Sequence, residues 1–82
     1  MSMTKPTLLD QMRRNPAGDW AIADVERVCR QFGATVLPPR GGGSHFKVAR
    51  PGRQDILTIP ARRPVKAGYI KDLVAYLTTD GG

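Results

Sequence analysis

Apolar positions recur along this chain with two different periods, and the periods divide it into helices and strands. Ile22, Val25, Val28, Cys29 and Phe32 stand three and four residues apart. That is the spacing of one helix face turned to a core, and it predicts a helix over Ala21 to Phe32. Asp24 lies near its positive end, Arg27 and Arg30 lie towards its negative end, and Gly33 supplies a left-handed stop. Ile70, Leu73, Val74 and Leu77 repeat the pattern and predict a second helix over Lys66 to Leu77, with Tyr69 and Tyr76 flanking the stripe. A smaller patch, Leu8, Leu9 and Met12, predicts a short helix from Pro6 to Arg14 that Asn15-Pro16-Ala17-Gly18 breaks. Trp20, just ahead of the second helix, reads as a packing anchor.

Between the two longer helices the period drops to two. Ala34 to Leu37 reads as a first strand closed by Pro38-Pro39, and Ser44 to Arg50 reads as a second. Gln54 to Ile59 reads as a third, reached by a tight Pro51-Gly52-Arg53 turn and ended by Pro60. Turns this short favour antiparallel neighbours. The expected fold is α+β: a two-layer sandwich in which a three-stranded antiparallel sheet carries two helices on one face, plus the short N-terminal helix. Residues 1–18 are expected to form a helical arm that docks on the domain, residues 19–77 the αβββα domain, and residues 78–82 a frayed tail.

Charge narrows the class of partner. With 82 residues the core is small, and a net charge of +6 with a pI near 10.3 biases the domain towards a polyanion or an acidic protein. The single cysteine, Cys29, forms no intramolecular disulfide and lies on the apolar stripe, so it reads as a reduced core residue. No His or Cys cluster has metal-ligand spacing, and no phosphate-loop motif follows Gly41-Gly42-Gly43. Neither a metal nor another cofactor is expected. No apolar run approaches the roughly 18 residues of a membrane span, and Met-Ser-Met-Thr-Lys-Pro carries no signal-peptide pattern. A cytoplasmic protein without a membrane partner is the expectation.

Candidate chemistry concentrates in Arg40-Gly-Gly-Gly-Ser-His-Phe-Lys-Val-Ala-Arg50, which holds the only histidine. If Phe46 and Val48 face the helices, alternation turns His45 and Lys47 to the open face. A titratable imidazole beside cations suits a metal-free phosphodiester-cleaving site, because imidazole ordinarily titrates near pH 6.5 and cations stabilise a phosphorane-like transition state. Lys47 is the first candidate for that cationic role, followed by Arg40, Arg50 and Arg53. The glycines, Gly43 among them, and Ser44 let the backbone approach a ribose-phosphate closely. Arg62 and Arg63, after the third strand, are further candidates for phosphate contact. The same residues also suit an RNA-binding module without catalysis, or a module that docks an acidic protein.

Gly43-Ser44-His45-Phe46, whose histidine stands twelve residues after the Gly33 of the helix end Phe32-Gly33, resembles the Gly-Ser-His signature of HicA-type mRNA interferase toxins. Leu57-Thr58-Ile59-Pro60 is similar to the family's third strand, and Pro64-Val65-Lys66-Ala67-Gly68-Tyr69-Ile70 to the start of its last helix. Asn15-Pro16-Ala17-Gly18-Asp19-Trp20 resembles the opening of a subgroup with an extra N-terminal helix, so the likeness covers about residues 8 to 77. The resemblance implies a double-stranded-RNA-binding-like fold, a toxic RNA-cleaving activity, a HicB-type antitoxin partner and a catalytic role for His45. Many relatives carry a second histidine after the third strand, where this chain has Ala61-Arg62-Arg63.

Overall fold

The computed structural model describes residues 7–41 and 43–79. Six elements follow one another: α1 (Leu8–Arg14), α2 (Ile22–Gln31), β1 (Thr35–Leu37), β2 (His45–Ala49), β3 (Leu57–Pro60) and α3 (Ala67–Thr78). Pro6, the expected start of α1, lies outside the described residues, as do Gly42 in the expected glycine turn and the tail beyond Thr79. The architecture is the expected two-layer α+β sandwich, with the three-stranded antiparallel sheet covered by helices on one face.

Local chemistry sets the helix ends. Thr7 Oγ1 accepts from the Asp10 backbone N–H at 3.1 Å and caps α1. At the start of α2, Asp24 reaches back and accepts from the Ala21 backbone N–H at 2.9 Å. Gly33, at φ 72°, takes the left-handed conformation that ends α2, and Ala34 N–H then donates to the Cys29 carbonyl at 2.8 Å. Phe32 was expected on the core stripe, but it lies beyond the last helical turn and is exposed. The stop at Gly33 turns the chain before Phe32 completes the stripe.

The sheet order is β1-β2-β3, so β2 is central. Val36 pairs with Val48 and Val48 with Leu57, while Phe46 pairs with Ile59. These pairs share one face, and Val48 and Ile59 on it are fully buried. Phe46 shares the face but is only half-buried, although its partner Ile59 is fully buried. Leu37, Lys47 and Thr58 form a row on the opposite face, and His45 pairs with Pro60 there.

The third strand begins later than its apolar pattern suggests. Pro51-Gly52 makes the turn, with Gly52 at φ 86° and Arg53 N–H donating to the Arg50 carbonyl at 3.1 Å. Asp55 does not join the ladder; its carbonyl accepts from the Tyr76 hydroxyl at 2.8 Å. Pairing with β2 therefore starts at Leu57.

One core joins the layers. Val25, Val28 and Cys29 from α2 meet Ile70, Leu73 and Leu77 from α3 over Val48 and Ile59. Leu9 and Met12 of α1 belong to the same cluster, and Met12 is fully buried. Full burial of such side chains contributes about 1.5–3 kcal/mol each. Burial, assisted by nearby Glu26, pushes the Cys29 thiol up to about 12, so it remains protonated at neutral pH. Trp20 packs its ring on the core, donates from Nε1 to the Asn15 carbonyl at 2.7 Å and accepts at its own carbonyl from Val65 N–H at 2.8 Å. It is an anchor between the α1–α2 loop and the segment before α3.

Candidate functional site

His45 opens the central strand at the end of the sheet where β3 finishes and α3 begins. The Ala61 backbone N–H donates to the Ser44 carbonyl and extends the β2–β3 ladder one step past His45. That bond fixes the backbone on both sides of the imidazole. The side chain itself is exposed.

Two concavities flank it. One, of about 470 Å³, is walled by Leu37, Pro38 and Pro39 and edged by Arg40 and Lys47. The other, of about 380 Å³, is formed by Pro60, Ala61 and Arg62 with Lys66 and Tyr69 of the α3 start. Ser44 and His45 line both.

Every charged side chain lining these two hollows is cationic: Arg40 and Lys47 on one side, Arg62 and Lys66 on the other. None of the four makes an ion pair with a described residue, whereas Arg13, Arg27, Arg53 and Arg63 each do. The α3 helix has no acidic residue in its first turn, unlike α1 and α2, so the positive end of its dipole adds to the same field. The result is an open, positively charged surface around one imidazole.

Ser44 Oγ lies 3.5 Å from His45 Nδ1, longer than an ordinary hydrogen bond of about 2.7–3.2 Å. Its hydroxyl can donate to Nδ1 or accept from Nδ1–H. Only the second arrangement leaves Nε2 with a lone pair and lets it act as a base. Gly43 closes the turn before it: its N–H donates to the Arg40 carbonyl at 2.9 Å, and a Cβ there would stand 3.1 Å from that oxygen. Gly41, at φ 57°, takes the left-handed step of the same turn.

The structure separates the remaining arginines from His45. Arg50 follows the other end of β2, about 16 Å away at roughly 3.3 Å per residue. Its Nη1 donates to the Tyr76 and Thr79 carbonyls at 2.9 and 3.1 Å. Arg53 Nη1 donates to the same two carbonyls at 3.1 and 3.2 Å, and its Nε and Nη2 grip Asp55 at 2.8 and 2.6 Å. Both guanidinium groups thus satisfy the C-terminal end of α3, where cations are favoured. Arg63 adjoins Arg62 in sequence but forms a two-pronged pair with Asp19 at 3.1 Å on each arm, which raises its pKa. Arg40, Lys47 and Arg62, with Gly43 and Ser44, are therefore the expected residues that gather round His45.

Lys66 and Tyr69 were not among the residues expected at the site. A signal for them exists in the short Ala61-to-Lys66 connection, which must bring the start of α3 beside the end of β3. Among the described residues, no group of three or more His, Cys, Asp or Glu is placed to hold a metal ion, and no helix is long and apolar enough to cross a membrane.

Comparison with family models, with curated proteins and with solved structures finds no match to this chain. What the geometry defines is a small α+β domain, a three-stranded sheet flanked by helices, consistent with a double-stranded-RNA-binding-like fold and with an RNA-binding module.

Proposed function

We propose that this protein is the toxin of a type II toxin–antitoxin system of the HicA kind, an endoribonuclease that cleaves mRNA without a metal ion and uses His45 as general base. The observation that carries the reading is the exposed imidazole between two hollows whose charged lining is entirely cationic. The Gly43-Ser44-His45-Phe46 stretch in its αβββα setting adds the family resemblance. An mRNA substrate implies a cytoplasmic site of action.

The chemistry uses the nucleophile that RNA carries. His45 Nε2 takes the proton of a ribose 2′-hydroxyl, whose oxygen attacks the adjacent phosphorus. The bond from phosphorus to the 5′-oxygen of the next nucleotide breaks, and that oxygen takes a proton from solvent, to which the His45 imidazolium returns the one it took. The products are a 2′,3′-cyclic phosphate and a free 5′-hydroxyl, with no net consumption of water in this step. Lys47 and Arg40, with Arg62 across the imidazole, offset charge on the phosphorane-like transition state. Ser44, when it accepts from Nδ1–H, biases the ring towards the tautomer that frees Nε2.

A HicB-type antitoxin would present acidic or hydrogen-bonding groups over His45 and Lys47. An inhibited complex in which that partner touches only the helical layer would overturn this part of the reading.

The direct test is induced expression of the wild type beside His45→Ala, scored for growth and RNA integrity. Wild type should arrest growth with cut mRNA, and His45→Ala should do neither while folding normally. Intact RNA in both strains would leave a binding module in place of an enzyme.

A further inference from the structure

We propose that His45 divides a two-nucleoside site, so that the substrate is a single-stranded RNA step whose two bases are splayed apart. The inference rests on the preceding reading of His45 and names the form of RNA that this site accepts.

The two hollows share Ser44 and His45 and nothing else. A phosphate placed at the imidazole therefore has one hollow on each side of it. At about 470 and 380 Å³ each hollow falls in the lower part of the size range for small-molecule sites, roughly 300–1,000 Å³. Each is sized for one nucleoside and neither for a duplex.

Spacing makes the case for unstacking. The first hollow is lined by the end of β1, the β1–β2 turn and β2, the second by the end of β3 and the start of α3, so the two open on either side of His45. The flanking strands β1 and β3 stand two strand spacings, about 10 Å, apart. Stacked bases along one strand are only about 3.4 Å apart. Adjacent nucleosides reach both hollows only if they leave the stack, which a paired helix resists and a loop or single strand allows.

The walls suit bases and the rims suit phosphates. Leu37, Pro38 and Pro39 make an apolar wall on the first side, and Leu37 is 46 % exposed and open to a base. Tyr69 supplies the second wall; it packs partly on the core, so its ring is held in place as a stacking platform. Arg40 and Lys47 edge the first hollow, Arg62 and Lys66 the second, where the flanking phosphates would run.

The test uses the wild-type protein and a dinucleoside monophosphate carrying 2′-deoxyribose at the 5′ residue, which cannot be cleaved by the proposed route. NMR chemical-shift mapping should show Leu37 methyl and Tyr69 ring signals moving together in one titration. A mononucleotide should bind at least tenfold more weakly. A hairpin RNA should be cut in its loop and spared in its stem. Tyr69→Leu should weaken dinucleotide binding by about five- to a hundredfold, the worth of one base stack, and Tyr69→Phe should restore it. Shifts confined to one hollow, or equal affinity for duplex and single strand, would overturn the two-nucleoside site while leaving His45-dependent cleavage standing. Shifts in both hollows without cleavage of the all-ribose dinucleotide would support the site and remove the catalytic role of His45.

Discussion

Arg53 lies over the ring of Tyr76, its guanidinium carbon 4.4 Å from the ring centroid. The same guanidinium binds Asp55 through two nitrogens and reaches the last carbonyls of α3, and the Tyr76 hydroxyl donates to the Asp55 carbonyl. The β2–β3 turn is thereby fastened to the end of α3. Arg53→Met should lower the thermal midpoint by several degrees and leave RNA affinity almost unchanged, since no hollow near His45 includes Arg53. A loss of RNA affinity as large as that of Arg62→Ala would return Arg53 to the binding surface.

The fastening has an acid limit. Hydrogen bonds from Arg53 hold the Asp55 carboxyl below its ordinary range. A carboxyl whose folded pKa is lowered stabilises the fold above its unfolded pKa, about 3.9, and that contribution disappears as pH falls through the folded value. Asp55→Asn should therefore destabilise the protein at pH 7 and matter progressively less below about pH 4. Urea titrations at pH 7 and pH 3 give the comparison. An equal difference between variant and wild type at both pH values would uncouple Asp55 from the latch.

The first helix makes a different kind of prediction. Residues 1–18 read as an arm that docks on the domain, and Met12 of α1 is fully buried in the common core. Met12→Ala should cost about 2–5 kcal/mol. A domain of 82 residues has only about 4–12 kcal/mol to lose at the usual 0.05–0.15 kcal/mol per residue. Equilibrium urea unfolding should show a much earlier midpoint and one transition for the whole chain. Two separate transitions, with the Met12 change confined to one, would make the arm an independent appendage.

Periodicity made the fold legible, and its failures are local. The stripe through Val25, Val28 and Cys29 and the alternation through His45 and Lys47 both report which side of an element meets the core, a choice made within a few residues. Phe32 escaped because a helix stop can cut a stripe short. Arg50 and Arg53 could not be placed from sequence, because the carbonyls they bind belong to Tyr76 and Thr79, more than twenty residues further on. Nothing in an arginine distinguishes a phosphate contact from a helix cap. Tyr69 has the same ambiguity in reverse: it flanks a core stripe, and only the crossing of β2, β3 and α3 turns it towards a hollow.

Salt will separate the cations that face a ligand from those that serve the fold. If Arg40, Lys47, Arg62 and Lys66 each meet a phosphate, the log–log slope of RNA affinity against salt should be about −3, at roughly −0.7 per contact on a single strand. Removing any one of the four should reduce the slope by about 0.7. Arg63→Ala should leave it unchanged, because Asp19 already engages that side chain. A flat salt dependence would take the cationic rim out of RNA binding altogether.

The last prediction joins His45 to the ribose 2′-hydroxyl. His45→Ala should lower the cleavage rate by about 10²–10⁴-fold, the usual worth of one positioned proton-transfer group. Folding should be nearly unaffected, since an exposed strand residue contributes little to the core. Ser44→Ala should cost much less, because at 3.5 Å its contact with Nδ1 biases the tautomer without fixing it. Cleavage should survive a chelator, and its products should carry a 2′,3′-cyclic phosphate and a 5′-hydroxyl. Substituting 2′-deoxyribose at the cut position should stop the reaction, whatever the affinity. If that substrate were cut at a comparable rate, water would be the nucleophile and the 2′-hydroxyl route would fall. If His45→Ala kept full activity on RNA while the deoxy substrate stayed intact, the ribose chemistry would stand and the base would have to be sought elsewhere on the same cationic face.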